Sequence, residues 1–472
     1  MPQNTTPEIG TETVDGFLQG TTERLTSEQL RSLSQNLAGY EERLSLFCRL
    51  TGAYELSVAE NVLIFDYFKG SLQDWKTFDV KDTKYAQPYF GDAGLRKGVA
   101  DLLQGVMKHP DGLAADHLTG VSGTSAALEC LAFALFKPGD VAIIPSPRWQ
   151  GFAWCFEQRR GMKIQGVAPE VDAIKKACEK LGKDTRFALV LTNPDNPTGN
   201  HYPKVFLEEV YSHVLRNYPK AHIISDELYC FSQIGRAGRV AFVSGFALDA
   251  YRNLDRDRVH VVWGFAKDFG LSGLKAGFVI TANECVHAAI RDAPKDSPCR
   301  ARSGWFSPFD SLKSFAFKRL FAARGGNLPK LAMDEYRERL SSGYDEIAKE
   351  LRGAGIRFNE SSGAQFFWLD LREFLDRVPV VSTEHHLDPE ILALLDLPPG
   401  DNAAAGSWDR EQKLLKYLAD GNGGRGVALL PGQTLAAGEE GFFRLCFTCE
   451  APGVMTNAVK RLIDLLKKLP KT

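Results

Sequence analysis

Residues 259–281 read VHVVWGFAKDFGLSGLKAGFVIT. Two short apolar runs enclose a loop punctuated by Gly and Ser, and that loop carries two lysines, Lys267 and Lys275. A continuous apolar run bounded by turn residues is the pattern of a strand buried on both faces. The pattern recurs upstream in HLTGVSG (117–123), DVAIIPSP (140–147), MKIQGVA (162–168), FALVLTNP (187–194) and AHIISDE (221–227), with helix-like stretches between. With the two runs of the opening stretch this makes seven strands. The alternation predicts an α/β fold: a large domain over 90–325 with a mostly parallel seven-stranded sheet covered by helices. Such a sheet takes its ligands beyond the carboxyl ends of its strands.

From about residue 330 the character changes. A long charged helix (328–355) precedes IRFNESSGAQFFWLDLREFL, which predicts a smaller α+β domain over 326–472. Residues 1–89 read as a polar N-terminal arm, a helix within 26–50 and part of the small domain. Residues 378–410, with VPVVSTEHH and PPGDNAAAG, read as an insertion or mobile loop. A chain of 472 residues is too long for a single ordinary core, in keeping with two domains. Its 44% hydrophobic and 25% charged residues are those of a globular protein. A net charge of −2 argues against nucleic acid or an anionic membrane as partner. No apolar run is long enough to span a membrane, and the polar start lacks a signal-peptide core. Nine scattered cysteines suit a reducing compartment, so a cytoplasmic location is expected. Cys446 and Cys449 form a CxxC in FFRLCFTCE, but no second pair completes a zinc set. The segment reads as a strand whose positions i and i+3 face opposite sides, so these are expected to be structural cysteines and no metal is expected.

The strand ends decide the chemistry. Gly123, Thr124 and Ser125 stand at a strand-to-helix turn, where free backbone N–H groups suit a phosphate. The next strand leads to Trp149, another to Asn196 between two prolines, another to Asp226 and Tyr229, and another to Lys267. Taken singly, each has a plainer reading: Asp as a helix cap, Trp as core, the lysines as solvated loop charges. Together on one sheet edge they supply an amine, an anion cradle, a flat ring, a carboxylate and hydroxyl or amide donors. Pyridoxal phosphate uses all of these, with a Schiff-base lysine and an acidic partner for its ring nitrogen.

SVAENVL (57–63), FGDAGLRKGVA (90–100), TNPDNPTG, SDELY, AKDFGLSGLKAG, GAQFFWLDLREFL (363–375) and FFRLCF (442–447) follow one another in a familiar order. By these motifs the chain resembles fold-type I pyridoxal-phosphate enzymes of the class I/II aminotransferase superfamily. Within it, the chain is most similar to the aminocyclopropane-carboxylate synthase branch. The resemblance implies that Lys267 carries the cofactor as an internal aldimine and moves the substrate Cα proton. It implies that Asp226 keeps the ring nitrogen protonated, that Tyr229 and Asn196 bond the phenolic oxygen, and that Trp149 stacks on the ring. Gly123, Thr124, Ser125 and Lys275 would hold the phosphate. Arg444 would pair with the substrate carboxylate, as a planar fork can, with Glu60 and Tyr89 facing the substrate. A homodimer with sites at the subunit interface is implied as well.

The chain departs from the family pattern in several places. Lys275 replaces an Arg, and Gly264 and Ala266 replace serines, so the phosphate is expected to be held less tightly than in relatives. Lys275→Arg together with Gly264→Ser is expected to tighten it. Ala86 replaces a Tyr, with Tyr85 and Tyr89 on either side, and Arg148 beside Trp149 is either a second anion reader or a surface charge. The function implied is chemistry on an α-amino acid through an external aldimine and quinonoid, with β- or γ-elimination or replacement. Amino transfer to a 2-oxo acid is the alternative. A catalytically silent binding protein is a third reading, opposed by the presence of Lys267, Asp226 and Arg444.

Overall fold

Seven strands form the large sheet: β1 (Leu118–Val121), β2 (Val141–Pro145), β3 (Lys163–Val167), β4 (Phe187–Thr192), β5 (His222–Asp226), β6 (Val259–Gly264) and β7 (Gly277–Ile280). They belong to a computed structural model that describes residues 40–86, 88–235, 238–291, 309–379, 387, 389–396 and 408–470. The spatial order is β1-β7-β6-β5-β4-β2-β3, with β7 antiparallel to both neighbours and every other adjacent pair parallel. All seven expected strands form. Lys267 follows the sixth of them, in the loop that turns β6 into the antiparallel β7.

The apolar runs are continuous because both faces are covered. Leu189, Leu191, Ile223, Val261 and Trp263 point into one core, while Ala188, Val190, Ile224 and Val262 point into the other. Edge strand β3 is only partly buried and reads more polar.

A second, four-stranded antiparallel sheet contains β8 (Arg357–Phe358), β9 (Phe366–Asp370), β10 (Leu430–Pro431) and β11 (Phe442–Cys446), in the order β10-β11-β9-β8. Along β11, Phe443 and Leu445 join the main core, and the alternate positions Arg444 and Cys446 face the other way. Helices that matter below are α1 (Tyr40–Thr51), α2 (Ala93–Met107), α3 (Thr124–Leu135), α4 (Ser311–Ala322), α5 (Leu328–Gly353) and α6 (Pro452–Lys468). Helix α1 covers the second half of the helix expected within 26–50 and runs one residue past it; residues 26–39 of that stretch and the polar arm fall outside the described residues. So does most of the 378–410 insertion, although Pro389–Leu392 is helical. Among the described residues no helix is long and apolar enough to cross a membrane.

Candidate active site

The loop after β6 turns Lys267 inward. Phe265 N–H donates to Ala276 O (3.1 Å) and Leu271 N–H to Phe265 O (3.1 Å), so the loop is tied to both strands it joins. Segment 57–63 then wraps it. Asn61 Nδ2 donates to the carbonyls of Lys267 and Asp268 (3.0 Å each), and Gln365 Nε2 also donates to Lys267 O (3.0 Å). The Lys267 amine donates to Ala59 O at 2.6 Å. Burial pushes this amine below its usual lysine range, and the nearby Glu60 carboxylate opposes the shift. A buried amine that is easily neutralised is suited both to attack a carbonyl and to carry a proton. Glu60 itself is held by Ser272, whose hydroxyl donates to the carboxylate (2.6 and 2.7 Å to its two oxygens).

Asp226 ends β5, is 5% exposed, and accepts one long bond from Leu228 N–H (3.3 Å). Burial pushes its carboxyl up to about 7. So poorly solvated a carboxylate calls for a cation, and a protonated ring nitrogen would provide one. Arg444 is 1% exposed; its Nη1 donates to Asn196 Oδ1 (2.9 Å) and its Nη2 to Ser57 O (2.6 Å), while Nε has no partner. The guanidinium lies over Phe366, 4.6 Å from the ring centroid, and Tyr229 meets the same ring edge-on at 5.4 Å. Asn196 presents its carbonyl to Arg444, which leaves its amide nitrogen to donate elsewhere.

Gly123 caps α3, no side chain caps that helix, and the buried Thr124 hydroxyl has no partner. Lys275 sits against this turn: a Cβ on Gly123 would lie 3.9 Å from the Lys275 Cα, carbonyl carbon and Cδ. The expected benefit of Gly264→Ser is corrected here. A Cβ at 264 would lie 2.7 Å from Ala276 O and 2.8 Å from Thr124 Oγ1, and one at Gly277 would lie 2.5 Å from the Gly123 carbonyl carbon. The glycine pair lets the start of α3 press directly onto β6 and β7, so a serine at 264 has no room.

The remaining sequence candidates have these surroundings. The Trp149 indole is half-buried, folds over Gly151, and packs edge-on against Phe152 (5.4 Å) and Trp154 (6.0 Å). Tyr89 is half-buried and meets the exposed Tyr85 edge-on at 6.2 Å; Ser125 is exposed. Arg148 turns back to Ser146, donating to its hydroxyl at 2.8 Å. The expected opposite-facing arrangement of the CxxC pair is also corrected. Strand β11 ends at Cys446, so Cys449 sits on the following turn and folds back, its Sγ 3.3 Å from Cys446 O. Ala59, Ser272 and Gln365 contribute to the site and were not singled out from the sequence. All of them, and Asn61, lay within the quoted motifs, but the use of a backbone carbonyl and of a loop serine leaves no signal in residue type.

An amine-bearing loop, an under-bonded carboxylate and an uncapped helix start at the carboxyl edge of one sheet define a class of protein with a buried reactive amine beside an anion site. A family model for aminotransferase class I and II matches residues 72–462. The chain belongs to that family, and it is a pyridoxal-phosphate-dependent enzyme. It is 26% identical over 435 residues to 1-aminocyclopropane-1-carboxylate synthase 5 of Oryza sativa subsp. japonica, covering 87% of this chain and 73% of that one. It is also 27% identical over 343 residues to a probable inactive 1-aminocyclopropane-1-carboxylate synthase-like protein 2 of Mus musculus (69% and 56% covered). Among solved structures its fold is similar to an aspartate aminotransferase of Thermotoga maritima, with a TM-score of 0.67, 19% identity, and 93% and 100% covered.

Proposed function

We propose that the enzyme acts on an α-amino acid at the site built around Lys267, with elimination or replacement at the β or γ carbon as its reaction. The carrying observation is the buried Lys267 amine, which donates to Ala59 O (2.6 Å) in the loop after β6, with the Glu60 carboxylate on the adjoining residue held by Ser272. Pyridoxal phosphate, when bound, supplies an electron sink for the charge left on the substrate Cα. Asp226 would hold the cofactor at its ring nitrogen and keep that nitrogen protonated, Asn196 and Tyr229 would hold its phenolic oxygen, and Trp149 would cover its ring. Thr124, Ser125, Gly123 and Lys275 hold the phosphate. Arg444 orients the substrate carboxylate, and Lys267 takes the Cα proton. Glu60 and Tyr89 face the substrate side chain. Similarity to the synthases supports this reading. Ala86, in place of the Tyr of the family pattern, favours the second one, amino transfer to a 2-oxo acid. Incubation with a panel of amino acids and S-adenosylmethionine separates them: ammonia, thiols or cyclised products mark elimination or replacement, and a keto acid formed only with a 2-oxo acid present marks transfer.

Arg444→Ala is expected to weaken amino-acid binding about tenfold or more, since a charge-assisted hydrogen bond contributes roughly 1.5–3 kcal/mol. Cofactor absorbance should change little. Decarboxylated amines binding the unmutated enzyme as well as amino acids would contradict the anchor.

The working form in this reading is a homodimer. Phe65, Trp75, Val80 and Tyr85 are exposed in the stretch that precedes α2, and such apolar surface is suited to a subunit contact. Sedimentation should show a dimer that retains activity on dilution to assay concentrations; an active monomer would refute it.

A further inference from the structure

We infer that Lys313 is a second cation of the cofactor's phosphate cradle, reaching it from α4 and compensating for the departures at Lys275 and Gly264. The inference rests on the phosphate site proposed above. Lys313 stands in the first turn of α4, its side chain is 15% exposed, and its Nζ donates to Ser122 Oγ at 3.3 Å. Ser122 directly precedes Gly123 and the uncapped start of α3, where the Thr124 hydroxyl is buried without a partner. The free helix start and the orphaned hydroxyl mark an anion site, and this ammonium reaches the residue that leads into it.

The position of Lys313 is anchored from behind. Phe309 N–H donates to Tyr89 O (2.8 Å), and the Phe309 ring packs so closely on Gly120 of β1 that a Cβ there would lie 3.0 Å from it. This fixes the start of α4 against the strand that leads into the cradle. A cation in the first turn of a helix runs against the helix dipole. Asp310 offsets part of that, with its carboxylate 2.7 Å from Lys313 Nζ while it also caps the helix through Lys313 N–H (2.8 Å). A phosphate dianion would offset the rest. The pairing also resolves the apparent weakness of the cradle. Lys275 contributes a single compact charge, and position 264 cannot carry a hydroxyl because a Cβ there meets Ala276 O and Thr124 Oγ1. Two ammonium groups match the two charges of the phosphate without either change.

The test compares equilibrium binding of pyridoxal phosphate and of phosphate-free pyridoxal to the full-length apoprotein. Lys313→Met is expected to weaken pyridoxal phosphate about tenfold or more and pyridoxal less than about twofold. Lys313→Arg should restore most of the loss. If Lys313→Met leaves both affinities unchanged, or lowers both in proportion, Lys313 is only the partner of Asp310 and the inference fails. Should Lys313→Met not fold, the unmutated protein decides: inorganic phosphate should slow acylation of Lys313 by an amine reagent, and an unchanged rate overturns the proposal. Borohydride reduction of the unmutated holoenzyme separates this from the site assignment. Cofactor recovered on Lys267 beside an unaffected Lys313→Met sinks the second cation alone, whereas cofactor on another lysine sinks the site itself.

Discussion

Lys267→Ala is expected to lose at least about 10³-fold in turnover, because one amine both attaches the cofactor and moves the substrate proton, and a positioned proton-transfer group alone contributes about 10²–10⁴-fold. The surroundings show why no neighbour replaces it. The amine is buried against Ala59 O, and its backbone carbonyl is gripped by Asn61 and Gln365. Lys275 lies on the far side of the same loop, against Gly123 at the start of α3. Lys267→Ala should therefore still bind pyridoxal phosphate through the remaining contacts but show the spectrum of a free aldehyde. Borohydride should then fix nothing, whereas in the unmutated protein it should fix the cofactor on Lys267. Recovery of the reduced adduct on Lys275 would overturn the assignment. Burial pushes the Lys267 amine below the usual lysine range, so its neutral form should be available at lower pH than that of an exposed lysine.

Asp226→Asn should move activity and stability in opposite directions. In the apoprotein the Asp226 carboxyl is pushed up to about 7 by burial, against about 3.9 in an unfolded chain. A carboxyl raised in this way costs nothing while protonated, and its cost grows as the pH rises from about 4 through 7. Burial pushes Glu227, Asp268 and Glu411 up to about 7 as well, so the apoprotein should lose stability across that same window. Removing one such charge should make the Asp226→Asn apoprotein more stable than the parent at pH 8 by roughly 2–4 kcal/mol, the difference fading toward pH 4. Urea unfolding of both apoproteins across that range measures it. Added pyridoxal phosphate should reverse the order, since only the aspartate can pair with a protonated ring nitrogen, and turnover of the variant should fall by about 10²-fold or more. A variant apoprotein less stable than the parent at pH 8 would show that Asp226 is satisfied without the cofactor.

Much of this molecule is legible in its sequence because its strands are buried on both faces. A strand in that position is mostly apolar along its length, so the signal is local, and all seven runs read as strands are strands, the partly exposed edge strand β3 being the most polar of them. The polar residues at their ends are local too: Asp226 closes β5 and Asn196 follows β4 because the chain leaves the sheet there. Other features depend on residues far apart in the chain. The carbonyl that holds the Lys267 amine comes from 208 residues upstream, the serine that fixes Glu60 from 212 residues downstream, and Lys313 meets Ser122 across 191 residues. The need for glycine at 264 likewise follows only when α3 is seen to press on β6 and β7. Where the sequence suggested a missing serine, the tertiary structure shows a close approach of backbones. Residue type and strand pattern by themselves determined the sheet and the polar residues at its strand ends, whereas Arg444, Glu60 and Tyr89 were read only through the family resemblance. Which groups meet, which hydroxyl is left without a partner and which cation stands beside it were decided by long-range packing, because a contact between distant segments depends on the whole fold rather than on either segment alone.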